Sequence, residues 1–395
     1  MDNVVLHRER SIRFLCFAAA AVGFALILQI GLNANFAVEQ MRLTGLEQGV
    51  LEAFRETCGI TSLGILILIA GFAEPLIAAM ALVLFGLGLS CVAFVHHYYW
   101  LVIINVVWSQ GLHVWFPLPN SMGLALAEPG QQGKRLGQIQ AWGALGSAAG
   151  LFAAYILTQV GVAIRPLYIL AGAAAVIAAT CCMFIPKQLR SAKPRLVIRK
   201  EYGLYYLLNF FEGWRKQIFL AFAGYLLVFK YGTSLKTMLA LWMIVQLVGW
   251  FSSKAVGRLI DRVGERKVLV FYYGFMTVCF IGYALISNKY LLYGVYLLDS
   301  CFFVFAMAIT TYIGKLAPAN EKTLTLSTGI AANHIAAVSM PLVGGLIWKY
   351  LGYQWTFAIG SAAAAASILA AMRIPEKLTP AVHIEPQPAN VMAEI

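Results

Sequence analysis

Residues 210–219 read FFEGWRKQIF, which sets Glu212, Arg215 and Lys216 within five positions of an otherwise apolar run. The flanks, 203–211 and 218–228, are too apolar for a surface that faces solvent. A charge at the centre of a bilayer-spanning helix costs roughly 2.5–3.5 kcal/mol on insertion scales. Three together need compensation from ion partners, water or a bound solute.

The chain as a whole supports a membrane reading. It is 61% hydrophobic and 12% charged, about half the charge of an ordinary soluble domain, with a mean hydropathy of +0.77. These values predict an all-α polytopic membrane protein. The seven cysteines all fall in apolar runs, and none is spaced from a histidine as a metal ligand. Neither a disulfide framework nor a metal or cofactor site is expected from them. The first apolar run follows Arg8, Arg10 and Arg13 and continues for some twenty residues without a small-residue cleavage site, so a retained first helix is expected.

Twelve spans are predicted, at 13–36, 48–72, 76–95, 99–124, 136–160, 166–185, 202–229, 236–256, 268–286, 290–315, 323–350 and 354–372. Most connections are very short and leave no room for a soluble domain. Residues 1–186 form a first set of six spans and 202–374 a second. Between them, 187–201 is a basic link, KQLRSAKPRLVIRKE, suited to anionic headgroups. The proline-rich tail, 375–395, is expected to be disordered.

If the N-terminus is cytoplasmic, twenty of the 29 Lys and Arg residues fall on that side. Six fall on the other, and Arg55, Arg215 and Lys216 remain inside spans. This bias places both termini in the cytoplasm. The net charge of +12 therefore orients a membrane protein and does not imply a nucleic-acid partner. Tyr98, Tyr99 and Trp100, at a span edge, read as an interfacial anchor.

Between spans 8 and 9, residues 257–267 read GRLIDRVGERK. Composition describes a solvated loop in which Gly257 and Gly264 permit a tight turn. The stretch also resembles the G-x-L-x-D-R-x-G-x-R-[RK] loop of the major facilitator superfamily, through Gly257, Leu259, Asp261, Arg262, Gly264, Arg266 and Lys267. Together with twelve spans and a basic central link, the resemblance covers nearly the whole chain. It implies two six-helix bundles in which spans 1, 4, 7 and 10 line a central cavity. Spans 2, 5, 8 and 11 would flank the cavity, and 3, 6, 9 and 12 would lie outside. It also implies a gating role for Gly257, Asp261, Arg262, Gly264 and Arg266. The equivalent stretch between spans 2 and 3, GFAEPLIA at 71–78, keeps Glu74 but has no basic residue. A second resemblance, to drug–proton antiporters, is partial. Gly137, Gly146 and Gly150 match on span 5, but Leu151, Ala154 and Tyr155 replace the rest, while Pro341, Gly344 and Gly345 supply that ending on span 11. Glycines so spaced also let helices pack closely.

Polar residues inside the spans are the site candidates, because substrate sites of repeat-built transporters lie near the midplane. On span 2, Gln48, Glu52, Arg55, Glu56 and Gly59 share one helical face, which suits an outer gate, a structural ion-pair network or solute contact. On span 7, Asn209, Glu212, Arg215 and Lys216 share a face, and pairing of Glu212 with Lys216 one turn on is expected. One acid cannot balance two bases. The cation left over would meet Asp299, an acid of span 2 or an anionic substrate. Gln110 and His113 on span 4 and Asn333 and His334 on span 11 suit hydrogen bonding between helices or a proton relay. Asp299, an isolated acid on span 10, is a protonation candidate, and Gln138, Gln140, Trp142, Trp242 and Gln246 suit ligand contact or packing.

These features predict a secondary transporter of a small polar or amphiphilic organic solute, working by alternating access. Protons are the expected coupling ion, with Glu212 or Asp299 titrating, and a monomer in the bacterial inner membrane is expected. Export is weighed above import, with uptake of an organic anion, amino acid or sugar as the alternative and a non-transporting receptor third. No phosphate-cradling loop and no nucleophile–base constellation marks an enzyme.

Overall fold

The computed structural model describes residues 2–128, 131–190 and 198–376, and these are almost entirely helical. The links at 191–197 and the tail at 377–395 lie outside the described residues, and so does most of the stretch expected to be disordered. The helices are α1 (Asp2–Asn35), α2 (Gly45–Leu68), α3 (Glu74–Val92), α4 (Tyr98–Trp115), α5 (Leu118–Leu126), α6 (Gln132–Gln159), α7 (Ile164–Met183) and α8 (Gly203–Ile218). They continue with α9 (Gly224–Phe229), α10 (Leu235–Val263), α11 (Glu265–Leu285), α12 (Lys289–Phe302), α13 (Met307–Leu316), α14 (Ala319–Leu351) and α15 (Tyr353–Ala371). Three spans are built of two helices each, α4–α5, α8–α9 and α12–α13, which gives twelve.

Among the described residues, ten spans are long and apolar enough to cross a membrane by composition. The other two, α2 and α8–α9, carry Glu52, Glu56, Glu212 and Arg215, four of the buried charged residues. Local chemistry explains several boundaries. Thr44 and Glu47 form a capping box that starts α2. Pro117 and Pro119, which cannot supply helix donors, stand where α4 gives way to α5. In span 7 a π-helical turn, Phe219–Ala223, separates α8 from α9, and in span 10 a 3₁₀ turn, Phe303–Ala306, separates α12 from α13. Such interruptions leave backbone groups in need of other partners, which a cavity or a neighbouring polar side chain can provide.

The apolar core is divided. One cluster is drawn mainly from residues 12–185 and a second from 202–374, so each set of six spans buries its own interior. The N-terminal bundle packs α1 on α6 and α7, and α3 on α4 and α7. The C-terminal bundle packs α8 on α14 and α15, and α11 on α15. The bundles meet along two seams, α2 with α14 and α6 with α10.

Both seams are closed at one end and open at the other. Far from where α1 begins and α15 ends, Tyr225 donates to the Leu43 carbonyl at 2.6 Å, Asn35 to that of Thr233 at 3.0 Å, and Lys236 to Gln159 at 3.0 Å. A Cβ on Gly49 would lie 2.2 Å from the Pro341 carbonyl oxygen, so only glycine allows this approach of α2 to α14. Toward the other end the same helical faces lose their partners. On α14, Pro341 and His334 meet glycines of α2, but Ile330, one turn further, is 57% exposed. On α10, Leu239 is fully buried against the N-terminal bundle, but Trp250 on the same face is 71% exposed. A cleft between the bundles thus opens on the face where α1 begins and α15 ends.

Candidate solute and coupling site

The polar residues named from sequence gather in two groups near the closed end of the cleft. The first lies between the bundles. Arg55 is bound between Glu52 (Nε–Oε2 2.8 Å) and Glu56 (Nη2–Oε1 2.7 Å) on its own helix. Glu52 also accepts from Asn33 of α1 at 2.9 Å and from Gln48 at 3.3 Å. The second carboxylate oxygen of Glu56 lies 3.2 Å from His334 Nδ1, the one carboxylate–imidazole contact between bundles among the described residues. His334 in turn packs edge-on against His113, with ring centroids 5.2 Å apart. The mutual pairing expected on span 2 is present, and it reaches span 11.

The second group lies inside the C-terminal bundle. Arg215 is fully buried and holds Glu212 at 2.6 Å and Asp299 at 3.4 Å. Its guanidinium sits 4.3 Å from the Phe303 ring centroid, beneath the 3₁₀ turn of span 10. Tyr272 donates to Glu212 at 3.1 Å. One buried cation therefore faces two carboxylates, and the second oxygen of Asp299 has no hydrogen-bond partner.

This arrangement differs from the pairing expected on span 7. Glu212 takes Arg215, three residues on, rather than Lys216, because Arg215 turns into the bundle while Lys216 turns toward α14. Lys216 Nζ donates to Asn333 Oδ1 at 2.9 Å, and Asn333 Nδ2 donates to the Asn209 carbonyl at 3.1 Å. Of the three basic residues inside spans, Lys216 alone has no carboxylate within 4.0 Å among the described residues. It is partly exposed. The cation left over is therefore Lys216.

Between these groups and the closed seam lies a cavity of about 80 Å³, room for several waters. Gln29 and Asn33 of α1, Glu52 and Arg55 of α2, and Trp242 and Tyr296 contribute to its wall. The π turn of span 7 borders it too, and there the Ala221 carbonyl accepts from Gln48 at 3.3 Å. Gln29 and Asn33 were not singled out from sequence, where each is a lone polar residue in an apolar run. Their spacing of four, which puts both on one face, is the signal that finds them.

Other candidates fall elsewhere. Gln140 is exposed and makes no hydrogen bond among the described residues, and Gln138 accepts from Arg135 at 3.2 Å. Trp142 packs on Phe17, and Gln110 accepts from Thr61 at 2.6 Å. Gly146 and Gly150 of α6 face the backbone of α1, where a Cβ would meet carbonyl oxygens of Ala20 and Phe24, while Gly137 faces open space. The stretch 257–267 is not the loop expected from composition: residues 257–263 extend α10, 265–267 open α11, and only Gly264, at φ +84°, turns between them, while Asp261 and Arg262 are exposed and make no ion pair among the described residues. Arg266 pairs with Glu376 at 3.4 Å, and nothing faces Gly257.

The sequence model of the Major Facilitator Superfamily matches residues 15–312 and, in a second match, 207–392. Among solved structures, the nucleoside transporter NupG superposes with a TM-score of 0.76 at 14% identity, over 92% of this chain and 98% of that one. A bacterial homologue of the human lysosomal transporter Spinster, in its inward-facing and unoccupied conformation, gives 0.71 at 13% identity over 95% and 99%. At such identities the likeness is one of fold. No curated protein sequence matches the chain.

Proposed function

The chain belongs to the Major Facilitator Superfamily and is a membrane transporter, not an enzyme; from that premise we propose that it moves a small anionic or zwitterionic organic solute by alternating access, driven by protons. The observation that carries the substrate class is Lys216. It is a cation at membrane depth, partly exposed, and held only by the neutral amide of Asn333. A buried or half-buried ammonium is stabilised far more by an anion than by an amide. A carboxylate or phosphate entering the cleft would supply it, with Asn333 and Asn209 orienting the polar remainder. The ion-paired Arg55, Glu52 and Glu56 would meet the other end of a zwitterion.

Proton coupling is assigned to Glu212 and Asp299. Their trio with Arg215 is electrically neutral only when one of the two carboxyls carries a proton. Lys216 and Arg215 are neighbours on α8 whose side chains diverge by about 100°, one toward α14 and the other into the bundle. A shift of α8 that brings Lys216 onto a solute therefore moves Arg215 against its acids. The excess of Lys and Arg on the side where α1 begins and α15 ends supports a cytoplasmic position for the open face, in a bacterial inner membrane. Export is the direction suggested by the glycine spacing on α6. Gly146 and Gly150 also serve packing against α1, so flux measurements decide the direction.

Proteoliposomes with an imposed pH gradient test the proposal. Candidate organic anions should move with the gradient, and Lys216→Gln should raise KM at least roughly tenfold, the worth of one charge-assisted hydrogen bond. Lys216→Arg should retain most of the activity. Glu212→Gln and Asp299→Asn should abolish accumulation against a gradient while leaving insertion intact. Unchanged anion KM in Lys216→Gln would sink the assignment of substrate class.

A further inference from the structure

We propose that Glu56, His113 and His334 form a binding site for a divalent transition-metal ion of the Zn²⁺ type, one that fastens the two bundles together. No spacing motif marks these residues, which come from α2, α4 and α14. Yet one ligand atom from each lies within 4.8 Å of the others. The 3.2 Å between Glu56 Oε2 and His334 Nδ1 is close to the ligand–ligand edge of about 3.3 Å in a tetrahedral site with 2.0–2.1 Å bonds. Two imidazoles and a carboxylate are a donor set that zinc accepts, with the fourth position left to water from the cleft.

The surroundings orient the donors. His113 Nδ1 lies 2.9 Å from the Ser109 carbonyl oxygen, which can only accept. The proton therefore sits on Nδ1, and the Nε2 lone pair is free for an ion. Glu56 is anchored through its other oxygen by Arg55, leaving Oε2 toward the histidines. Gly59 makes the room, since a Cβ there would lie 2.2 Å from His334 Nδ1. Glu52 adds a second negative charge that offsets Arg55.

The ligands also make the site dependent on conformation. Glu56 and His113 belong to the N-terminal bundle and His334 to the C-terminal one. When the closed end of the seam opens, the three part. An ion that needs all three binds the present conformation and not its alternate, so it holds the seam shut and slows exchange in proportion to its differential affinity. This regulation does not depend on what the transporter carries.

Titration of purified full-length protein in detergent with Co²⁺ and Zn²⁺ alone tests the site. One ion per chain should bind, with a visible tetrahedral Co²⁺ band that Zn²⁺ displaces and a raised unfolding temperature. His113→Ala and His334→Ala should each weaken binding by roughly tenfold or more. If an alanine variant fails to fold, His334→Gln and Glu56→Gln supply the same comparison. Absence of stoichiometric binding overturns the proposal, and so does binding that survives both histidine changes, which assigns the ion to thiols. Full affinity without His334 places the ion inside one bundle and overturns the bridging role. Loss of metal binding in the histidine variants, with organic-anion transport retained, separates this site from the proposed function.

Discussion

Arg215 shows what a charge inside this fold requires. It is wholly buried, and its stability rests on Glu212, Asp299 and the face of Phe303. Breaking a buried pair by removing one partner leaves an uncompensated charge, at a cost of about 3–5 kcal/mol. Arg215→Met should therefore strip the protein of most of its thermal stability, measured by unfolding in detergent. Replacing all three, with Glu212→Gln and Asp299→Asn alongside, should restore it, because no charge is then left alone. A stable Arg215→Met single variant would show that the carboxyls are already neutral. Lys216, its neighbour, needs no such partner inside the protein. The two adjacent cations differ because one points into a packed bundle and the other to the seam between bundles.

Among the helices, glycine decides which faces can meet. A Cβ at Gly49 would overlap the Pro341 carbonyl at 2.2 Å and the Gly345 Cα at 3.0 Å, backbone atoms that cannot turn away. Gly49→Val should destabilise by about 1–3 kcal/mol, the usual penalty for overpacking. Gly249, on the open stretch of α10, faces nothing within 4 Å. Gly249→Ala should instead stabilise by about 0.5–1 kcal/mol, since it relieves only the entropy of a helical glycine. Opposite shifts in unfolding temperature check both predictions, and equal shifts would refute the packing account. The interrupted spans follow a similar logic. The π turn of Phe219–Ala223 lies where Gln48 can donate to its Ala221 carbonyl, and prolines divide span 4.

At the scale of the whole molecule, the two bundles are joined at one end and parted at the other. In a variant without native cysteines, Trp250→Cys and Ile330→Cys should react with a membrane-impermeant maleimide added from the face where α1 begins and α15 ends. Leu239→Cys, on the closed stretch of α10, should not. Equal reactivity of all three would contradict the one-sided cleft. The division into twelve spans and the two charged ones among them were legible from hydropathy, because bilayer thickness sets helix length and each buried charge stands out against an apolar run. The 257–267 stretch was legible as a family signature, and so was the imbalance of one acid and two bases on span 7. The pairing itself was not legible. Glu212 can reach Arg215 or Lys216 from one helix, and only the packing of α8 against α11, α12 and α14 chooses Arg215 and leaves Lys216 to Asn333. The meeting of Glu56, His113 and His334 is still further from the sequence, since it brings three distant spans together across a seam. The sequence by itself determined that this is a twelve-span membrane transporter and which residues carry charge inside it, since transfer from water to lipid is a property of each segment alone. Tertiary structure decided which charges neutralise one another and which remains for a ligand, because an ion pair depends on distances between helices that no local pattern encodes.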